Sequence, residues 1–372
     1  MKVPNVYIHV PFCRSKCAYC AFYSTTTVEG IDAYLSELEA QLAASNFAEP
    51  VRTLYLGGGT PTLLPIPQLE QLFRLLRNWI PLTADAEISI ESNPETLTAD
   101  KMALVETFCT RISCGIQSFD PDLRKILGRD VSQEAIERVK TLWERTSIPE
   151  RNIDLIYGIA GQTPMMWEQE VATALSFGIT HLSCYALTYE ENTRLLRERP
   201  VDFDEEEADA IAEEIWKKTP ALLTAHKMLR YEISNYACPG SECKHNSSIW
   251  RGESYAGFGP GAAGFDGINR YSNIEDLSKW LKGAPLIWDV VKPETRYGEI
   301  FGVGLRRTAG WQKEEFLKLP LQKLFPCSWE TMLQRATAVG EIYPGTLDIQ
   351  DSTVKATELG LSFWNTIASE LL

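Results

Sequence analysis

Short apolar runs alternate with longer amphipathic stretches through the first two thirds of the chain. Val6–Val10, Thr53–Leu56, Glu87–Glu91, Arg111–Gln117, Asn152–Ile159 and His181–Thr188 are rich in Ile, Leu, Val and Tyr, and short enough to be buried strands. Between and after them, Ile31–Ala44, Pro67–Trp79, Ala99–Phe108, Ser132–Trp143, Pro164–Phe177 and Glu205–Leu229 carry helical periodicity, with Thr98 and Ser132 placed as N-caps. Strands alternating with helices at this spacing predict βα units and a parallel sheet. The expected fold is α/β, a partial (βα)6 TIM-like barrel whose chemistry sits at the C-terminal ends of the strands.

The loops agree with that placement. The first strand runs into Cys13, the second into Gly57-Gly58-Gly59-Thr60-Pro61, the third into Glu91-Ser92-Asn93-Pro94 and the fourth into Gln117-Ser118-Phe119; the fifth contains Asp154. After Tyr231 the pattern changes to a segment over 231–275 rich in Gly, aromatic and polar residues, with His245-Asn246 and Gly257-Phe258-Gly259-Pro260-Gly261. From 276 the chain reads as mostly helical with short strands. This divides it into 1–275, a barrel with an extension at 231–275, and 276–372, a small winged-helix-like C-terminal domain.

The chain has 372 residues and a net charge of −14, which argues against overall attraction to nucleic acid or anionic lipid. Eight acids lie between Asp202 and Glu214, where Ile211 and Ile215 mark the inner side of a solvated helix. No apolar run approaches the ~20 residues that span a bilayer. Met1-Lys2-Val3-Pro4 leads directly into strand residues with no signal-peptide core. The nine cysteines are therefore expected as thiols or metal ligands in a reducing cytoplasm.

Cys13-Arg14-Ser15-Lys16-Cys17-Ala18-Tyr19-Cys20 puts three thiols on a loop leaving a strand, where they can converge on one metal centre. Closed zinc sites take four ligands, and the only further candidates, Cys238, Cys243 and His245, are remote. Iron–sulfur clusters also normally take four thiolates, so three would leave one iron open.

The C-x3-C-x2-C spacing, followed by Gly57-Gly58-Gly59-Thr60-Pro61, resembles the radical S-adenosylmethionine (SAM) superfamily. The resemblance implies a [4Fe-4S] cluster on Cys13, Cys17 and Cys20, with SAM on the fourth iron. It also implies that the glycines let backbone approach the SAM methionine group where a Cβ would block it. Further stretches are similar to the oxygen-independent coproporphyrinogen oxidase-like group: Tyr7-Ile8-His9-Val10-Pro11-Phe12, Glu91-Ser92-Asn93-Pro94-Glu95, Gly115-Ile116-Gln117-Ser118-Phe119, Asn152-Ile153-Asp154, Tyr231-Glu232-Ile233-Ser234-Asn235 and Cys243-Lys244-His245-Asn246. Within that group the chain is closest to HemW-type heme chaperones. HemN-type dehydrogenases carry a fourth cysteine where Phe22 stands, and an N-terminal extension ahead of the position of Tyr7. His245-Asn246-Ser247-Ser248-Ile249-Trp250 resembles the H-N-x-x-Y-W heme motif, with Ile249 replacing tyrosine, and Ala263 stands where many relatives have histidine.

By this resemblance Tyr7, Tyr19, Gly58, Gly59, Thr60 and Glu91 line SAM, while Gln117, Arg129 and Asp154 match positions that contact a second SAM in HemN-type relatives. His245 and Trp250 are the heme candidates, with Cys243 an alternative thiolate. Asp154 must be paired if buried, His9 points into the barrel or packs near the cluster, and His181 and His226 are structural. Cys109, Cys114, Cys184 and Cys327 are core. The expected function is a heme chaperone that takes SAM, a [4Fe-4S] cluster and heme, needs an electron donor, delivers heme to a client hemoprotein, and reaches membranes only peripherally through that client. The alternative is an oxygen-independent coproporphyrinogen III dehydrogenase; another radical reaction on a tetrapyrrole is the third reading. No catalytic residue is assigned.

Overall fold

The computed structural model describes residues 2–200 and 204–372. Six strands, β1 (Asn5–Val10), β2 (Val51–Gly58), β3 (Leu82–Ser92), β4 (Arg111–Gln117), β5 (Glu150–Tyr157) and β6 (His181–Ala186), form a parallel series in sequence order. The connecting helices are α1 (Ile31–Ala44), α2 (Ile66–Trp79), α3 (Ala99–Glu106), α4 (Pro121–Ile126), α5 (Gln133–Trp143) and α6 (Pro164–Leu175). Thr98 and Ser132 cap α3 and α5 by accepting the Lys101 and Ala135 amides at 3.4 and 3.2 Å. A four-residue α7 (Arg194–Arg197) follows β6, and then α8 (Glu205–Thr224).

The helix expected through Leu229 stops at Thr224. Lys227 takes a left-handed φ of 62°, and the chain turns into β7 (Leu229–Arg230), which pairs antiparallel with β8 (Asn235–Ala237). The acidic run is helical from Glu205 with Asp204 as its cap, and Ile215 is buried beneath it; Asp202 lies outside the described residues. His226 is exposed at the end of α8.

A helix α9 (Lys244–Trp250) precedes β9 (Tyr255–Phe258), which lies parallel to β1 on the side away from β2. This seventh parallel strand extends the expected six. Antiparallel strands β10 (Ala263–Phe265), β11 (Arg270–Ser272) and β12 (Ile287–Asp289) continue the sheet to one edge, and β8 and β7 form the other, so the twelve-stranded sheet stays open.

The main core lies between the sheet's outer face and its helices. Val6, Ile8, Leu54, Leu56, Ile90, Ile112 and Leu182 pack there with Leu35, Leu38, Leu69 and Val139. Trp280 joins this core, its ring 5.6 Å from that of Tyr34. A second core gathers Tyr297, Phe301, Trp311, Phe316 and Trp329, and takes Phe265 from β10. Around it the chain runs helix 293–304, strand β13 (Trp311–Gln312), helices 313–316 and 329–342, then β14 (Leu347–Gln350) and β15 (Thr353–Ala356), the element order of a winged helix. Cys109, Cys114 and Cys184 are buried and Cys327 is half-buried against the second core. Among the described residues, no helix is long and apolar enough to cross a membrane.

Candidate functional site: a cysteine loop on a polar barrel

The strands alternate. Their apolar residues face the helices, whereas Asn5, Tyr7, His9, Thr53, Tyr55, Glu87, Ser89, Glu91, Arg111, Ser113, Asn152, Asp154, His181 and Ser183 recur at every second position on the opposite face, where all but Ser89 hydrogen-bond with one another. The barrel interior is therefore polar. Its C-terminal rim carries the cysteine loop, and its N-terminal end is closed by α9.

The loop is held from three sides. Cys13 donates its amide to the Thr25 carbonyl at 2.9 Å, and Ala18 donates to Leu127 at 2.9 Å; the Ala18 carbonyl receives the Leu195 amide at 2.8 Å. Cys13, Cys17 and Cys20 are half-buried. Burial pushes the Cys13 and Cys20 thiols up, and each is raised further by the charge of the neighbouring cysteines, so the three sulfurs share one electrostatic neighbourhood. Among the described residues, no three Cys, His, Asp or Glu side chains gather as they would around a single metal ion. Cys13 Sγ lies 3.8 Å from Thr60 Oγ1, and Arg129 Nη1 donates to Cys17 Sγ at 3.5 Å. The Thr60 hydroxyl and the Arg129 charge partly offset the rise at Cys13. The donor set therefore fits a [4Fe-4S] cluster, whose three protein-bound irons each take a separate thiolate.

The glycine motif is built against this loop. Gly59 and Thr60 donate their amides to Val10 and Phe12 carbonyls, each at 2.8 Å, carrying the β1–β2 pairing past the strand ends. A Cβ at Gly57 would lie 2.8 Å from the Glu91 carboxylate, and one at Gly59 would lie 2.6 Å from the Phe12 carbonyl. Gly58, at φ 103°, would place a Cβ 2.5 Å from the His9 ring. Thus the protein's own packing requires all three glycines, before any ligand enters. Glu91 accepts Gly58 N–H and Tyr55 O–H, both at 3.0 Å. Burial, with a smaller push from Asp154, raises its carboxyl to about 7.

The remaining candidates are spread along the inner face of the sheet. Gln117 ends β4 with a left-handed φ of 73°, next to a register shift between Gly115 and Gln117 that re-aims the strand end. Arg129 also donates to the Gly115 carbonyl, while its Nε is buried with no partner among the described residues. Burial opposes the Arg129 charge, but Tyr19 and Cys17 beside it outweigh that and hold the guanidinium firmly protonated. Tyr19 packs on Leu123, Leu127, Ile156 and Ile159 beneath the loop, and burial raises its hydroxyl well above the usual range. Tyr7 donates to His9 Nδ1 at 3.2 Å, and His9 Nε2 donates to the Tyr23 carbonyl at 2.9 Å. Asp154 is paired: it accepts Ser113 Oγ and Asn152 Nδ2, each at 2.8 Å. Because the Asn152 amide nitrogen is spent there, its carbonyl accepts His181 Nδ1–H at 2.6 Å, and His181 Nε2 accepts Tyr231 O–H at 2.8 Å.

The expected heme pair lies at the other end. Glu87, paired with Arg111 at 3.2 Å with both side chains at most 5 % exposed, accepts the Lys244 and His245 amides at 3.0 Å each and the Cys243 thiol at 3.5 Å. This fixes the N-terminus of α9 in the barrel base. Thr53 gives its one proton to Asn5 Oδ1, so His245 Nδ1 is the donor to Thr53 at 2.8 Å. His245 is 3 % exposed, its ring covered by Tyr55 at 5.2 Å, and burial lowers its imidazole to about 3. Cys243 is pushed up to about 12 by burial and stays a thiol. Trp250 lies beneath the Arg306 guanidinium at 4.9 Å, and Arg306 in turn pairs with buried Glu232. Neither heme candidate stands at the rim or offers an open face. Thr53, Tyr55, Glu87, Arg111, Ser113 and Asn152 had no assigned role in the sequence, and the period-two polar alternation along the strands is the signal that marks them.

A model of the radical SAM superfamily matches residues 7–174. The heme chaperone HemW of Bacillus subtilis is 31 % identical over 390 residues, covering 99 % of each chain. HemW of Escherichia coli is 37 % identical over 273 residues, 71 % of each. The solved structure of coproporphyrinogen III oxidase (HemN) from Escherichia coli superposes with a TM-score of 0.83 at 21 % identity, over 100 % of this chain and 90 % of that one, which establishes a common fold. With its likeness to Bacillus subtilis HemW over nearly the whole of both chains and three cysteines on the rim of a radical SAM barrel, the chain belongs to the HemW family of the radical SAM superfamily.

Proposed function

We propose that this protein is a heme chaperone that holds a [4Fe-4S] cluster on Cys13, Cys17 and Cys20, with SAM on the open iron, and passes heme to a client hemoprotein. The observation that carries this reading is the rim geometry: three half-buried thiols on one loop backed by Thr60 and Arg129, with the Glu91 carboxylate behind the glycine loop. Tyr7, Tyr19, Gly58, Gly59, Thr60 and Glu91 are the SAM-side residues, and the unpartnered Arg129 Nε gives Gln117, Arg129 and Asp154 one donor for a bound group. Phe22, at the position of the fourth cysteine of HemN-type enzymes, points into solvent at 72 % exposure. The polar barrel holds the SAM side of the site, and the chain's own groups fix position and exclude water there.

Heme is assigned to the His245–Trp250 segment. His245 is neutral with its Nδ1 committed to Thr53, which leaves Nε2 as the ligating atom. Reaching it requires α9 to leave Glu87, so uptake is coupled to opening of the barrel base. The C-terminal part built on the second core carries Arg306, which covers Trp250. The protein works in the reducing cytoplasm, where an electron donor reduces the cluster and any membrane contact is peripheral, through the client.

The test is anaerobic reconstitution followed by two assays on one sample. Heme titration should saturate, and His245→Ala should weaken it; coproporphyrinogen III should not be consumed. Turnover of coproporphyrinogen III would favour the dehydrogenase instead.

A further inference from the structure

One continuous hydrogen-bonded line runs from the barrel rim to the helix that closes its base. Asp154 accepts Asn152 Nδ2 at 2.8 Å, and Asn152 Oδ1 accepts His181 Nδ1–H at 2.6 Å. His181 Nε2 accepts Tyr231 O–H at 2.8 Å, and Tyr231 Oη accepts the Cys243 amide at 3.3 Å. Cys243 is the N-cap residue of α9, and Lys244 and His245 follow it. Asn152 and His181 are register partners on β5 and β6, both at most 5 % exposed, so the sheet itself holds the middle of the line.

Every donor along the line points toward Asp154, and its two ends agree: an amide N–H only donates, and a carboxylate only accepts. Asp154 turns the Asn152 nitrogen toward itself, while the second Asn152 N–H is held by Ser113 Oγ at 2.7 Å. The Asn152 oxygen then faces β6 and receives both His181 and, at 3.2 Å, the Ser183 hydroxyl. Burial, and after it the Arg111 charge, lowers the His181 imidazole well below its ordinary range, so the ring is neutral with one proton to place. With that proton on Nδ1, Tyr231 gives its hydrogen to Nε2 and keeps its oxygen for the Cys243 amide. With the proton on Nε2, His181 and Cys243 would both donate to the Tyr231 oxygen, and the phenol hydrogen would have no partner in the line.

We propose that His181 is the positioning residue that couples the rim to α9: Asp154, through Asn152, sets the His181 tautomer, and the tautomer sets how firmly Tyr231 holds the N-terminus of α9. A group that keeps Asp154 as an acceptor holds the base shut, and one that draws Asp154 off Asn152 loosens it. Because α9 carries His245, heme entry then depends on what occupies the rim. That consequence rests on the assignment of heme to α9; the coupling itself does not.

Amide hydrogen exchange of the full chain, read in peptides covering α9 and, as a control, α2, tests the coupling. Asp154→Leu and Tyr231→Phe should each speed exchange in α9 about fivefold, the loss of one neutral hydrogen bond, and leave α2 unchanged. The double variant should be no faster than Tyr231→Phe alone, because the line is already cut. Nitrogen NMR of the histidine-labelled, unsubstituted protein should find the His181 proton on Nδ1, a reading that requires no variant to fold. In Asp154→Leu the Nε2–H form should appear. Effects that multiply in the double variant, an Asp154→Leu chain with unchanged α9 or equally accelerated α2, or a proton on Nε2 in the unsubstituted protein would overturn the proposal. Heme association should quicken together with α9 exchange in Asp154→Leu; faster exchange with unchanged heme uptake would uphold the coupling and take heme away from α9.

Discussion

The Glu91 carboxylate accepts the Gly58 amide at 3.0 Å, and the neighbouring Gly57 leaves no room for a Cβ against the same carboxylate. One acid thus braces the glycine loop, and the loop, through Gly59 and Thr60, braces the cysteine segment. Gly59→Ala should push the Phe12 carbonyl and lower the iron content reached on reconstitution, while a Gly→Ala change at Gly161, where nothing lies within reach of a Cβ but φ is 78°, should cost stability by about 1 kcal/mol without moving the cluster. Iron and sulfide analysis alongside urea unfolding separates the two.

Glu91 also sets a pH dependence. Its folded carboxyl, at about 7, lies above the ordinary 4.5, so the folded state binds the extra proton and stability falls as pH rises from about 4.5 to 7. The full effect is at most about 3 kcal/mol, and water reaching the half-buried group reduces it. Glu91→Gln should flatten that limb in urea unfolding measured from pH 5 to 8. If the carboxylate holds SAM, SAM affinity should rise with pH across the same window in the unsubstituted protein and not in the variant.

His245 works with the opposite sign. Its folded imidazole at about 3 lies below the ordinary 6.5, so the unfolded chain binds more protons between those values. Stability is then lost as pH falls from about 6.5 toward 3, by up to about 4–5 kcal/mol. His245→Gln should shallow this acid limb while costing about 1–3 kcal/mol near pH 8, where the Thr53 partner is disturbed. An unchanged acid limb would place the imidazole in water and contradict the closed barrel base.

Removing Glu87 should be more damaging than its surface counterparts. Glu87→Ala leaves buried Arg111 without its close partner and releases two α9 amides and a thiol, a loss on the order of 3–5 kcal/mol. Arg14→Ala, which breaks pairs with Glu95 and Asp130 at a half-exposed arginine, should cost no more than about 1 kcal/mol. Chemical denaturation of the two variants compares them directly.

The six parallel strands and their helices were legible because their apolar outer faces and Thr98 and Ser132 caps are local signals. Strand β9 was not, since a four-residue segment at Tyr255–Phe258 gains its partner β1 only through tertiary folding. The cysteine spacing named the rim. The base stayed hidden because Glu87, Arg111 and Thr53 act only once α9 folds across them, and a histidine in a polar loop reads as accessible until its burial is seen. Likewise the glycines of the second loop read as room for a ligand, whereas their first constraint is contact with Glu91, His9 and Phe12.

The central claim is that this chain gives heme away and does not consume a porphyrin precursor. The most direct test mixes reconstituted, heme-loaded protein with an apo-hemoprotein and follows the absorbance of both. The account predicts saturable heme binding and transfer to the acceptor, with Cys17→Ala losing the iron–sulfur absorbance and coproporphyrinogen III left intact. Heme that never leaves the protein, together with robust decarboxylation of coproporphyrinogen III, would contradict it.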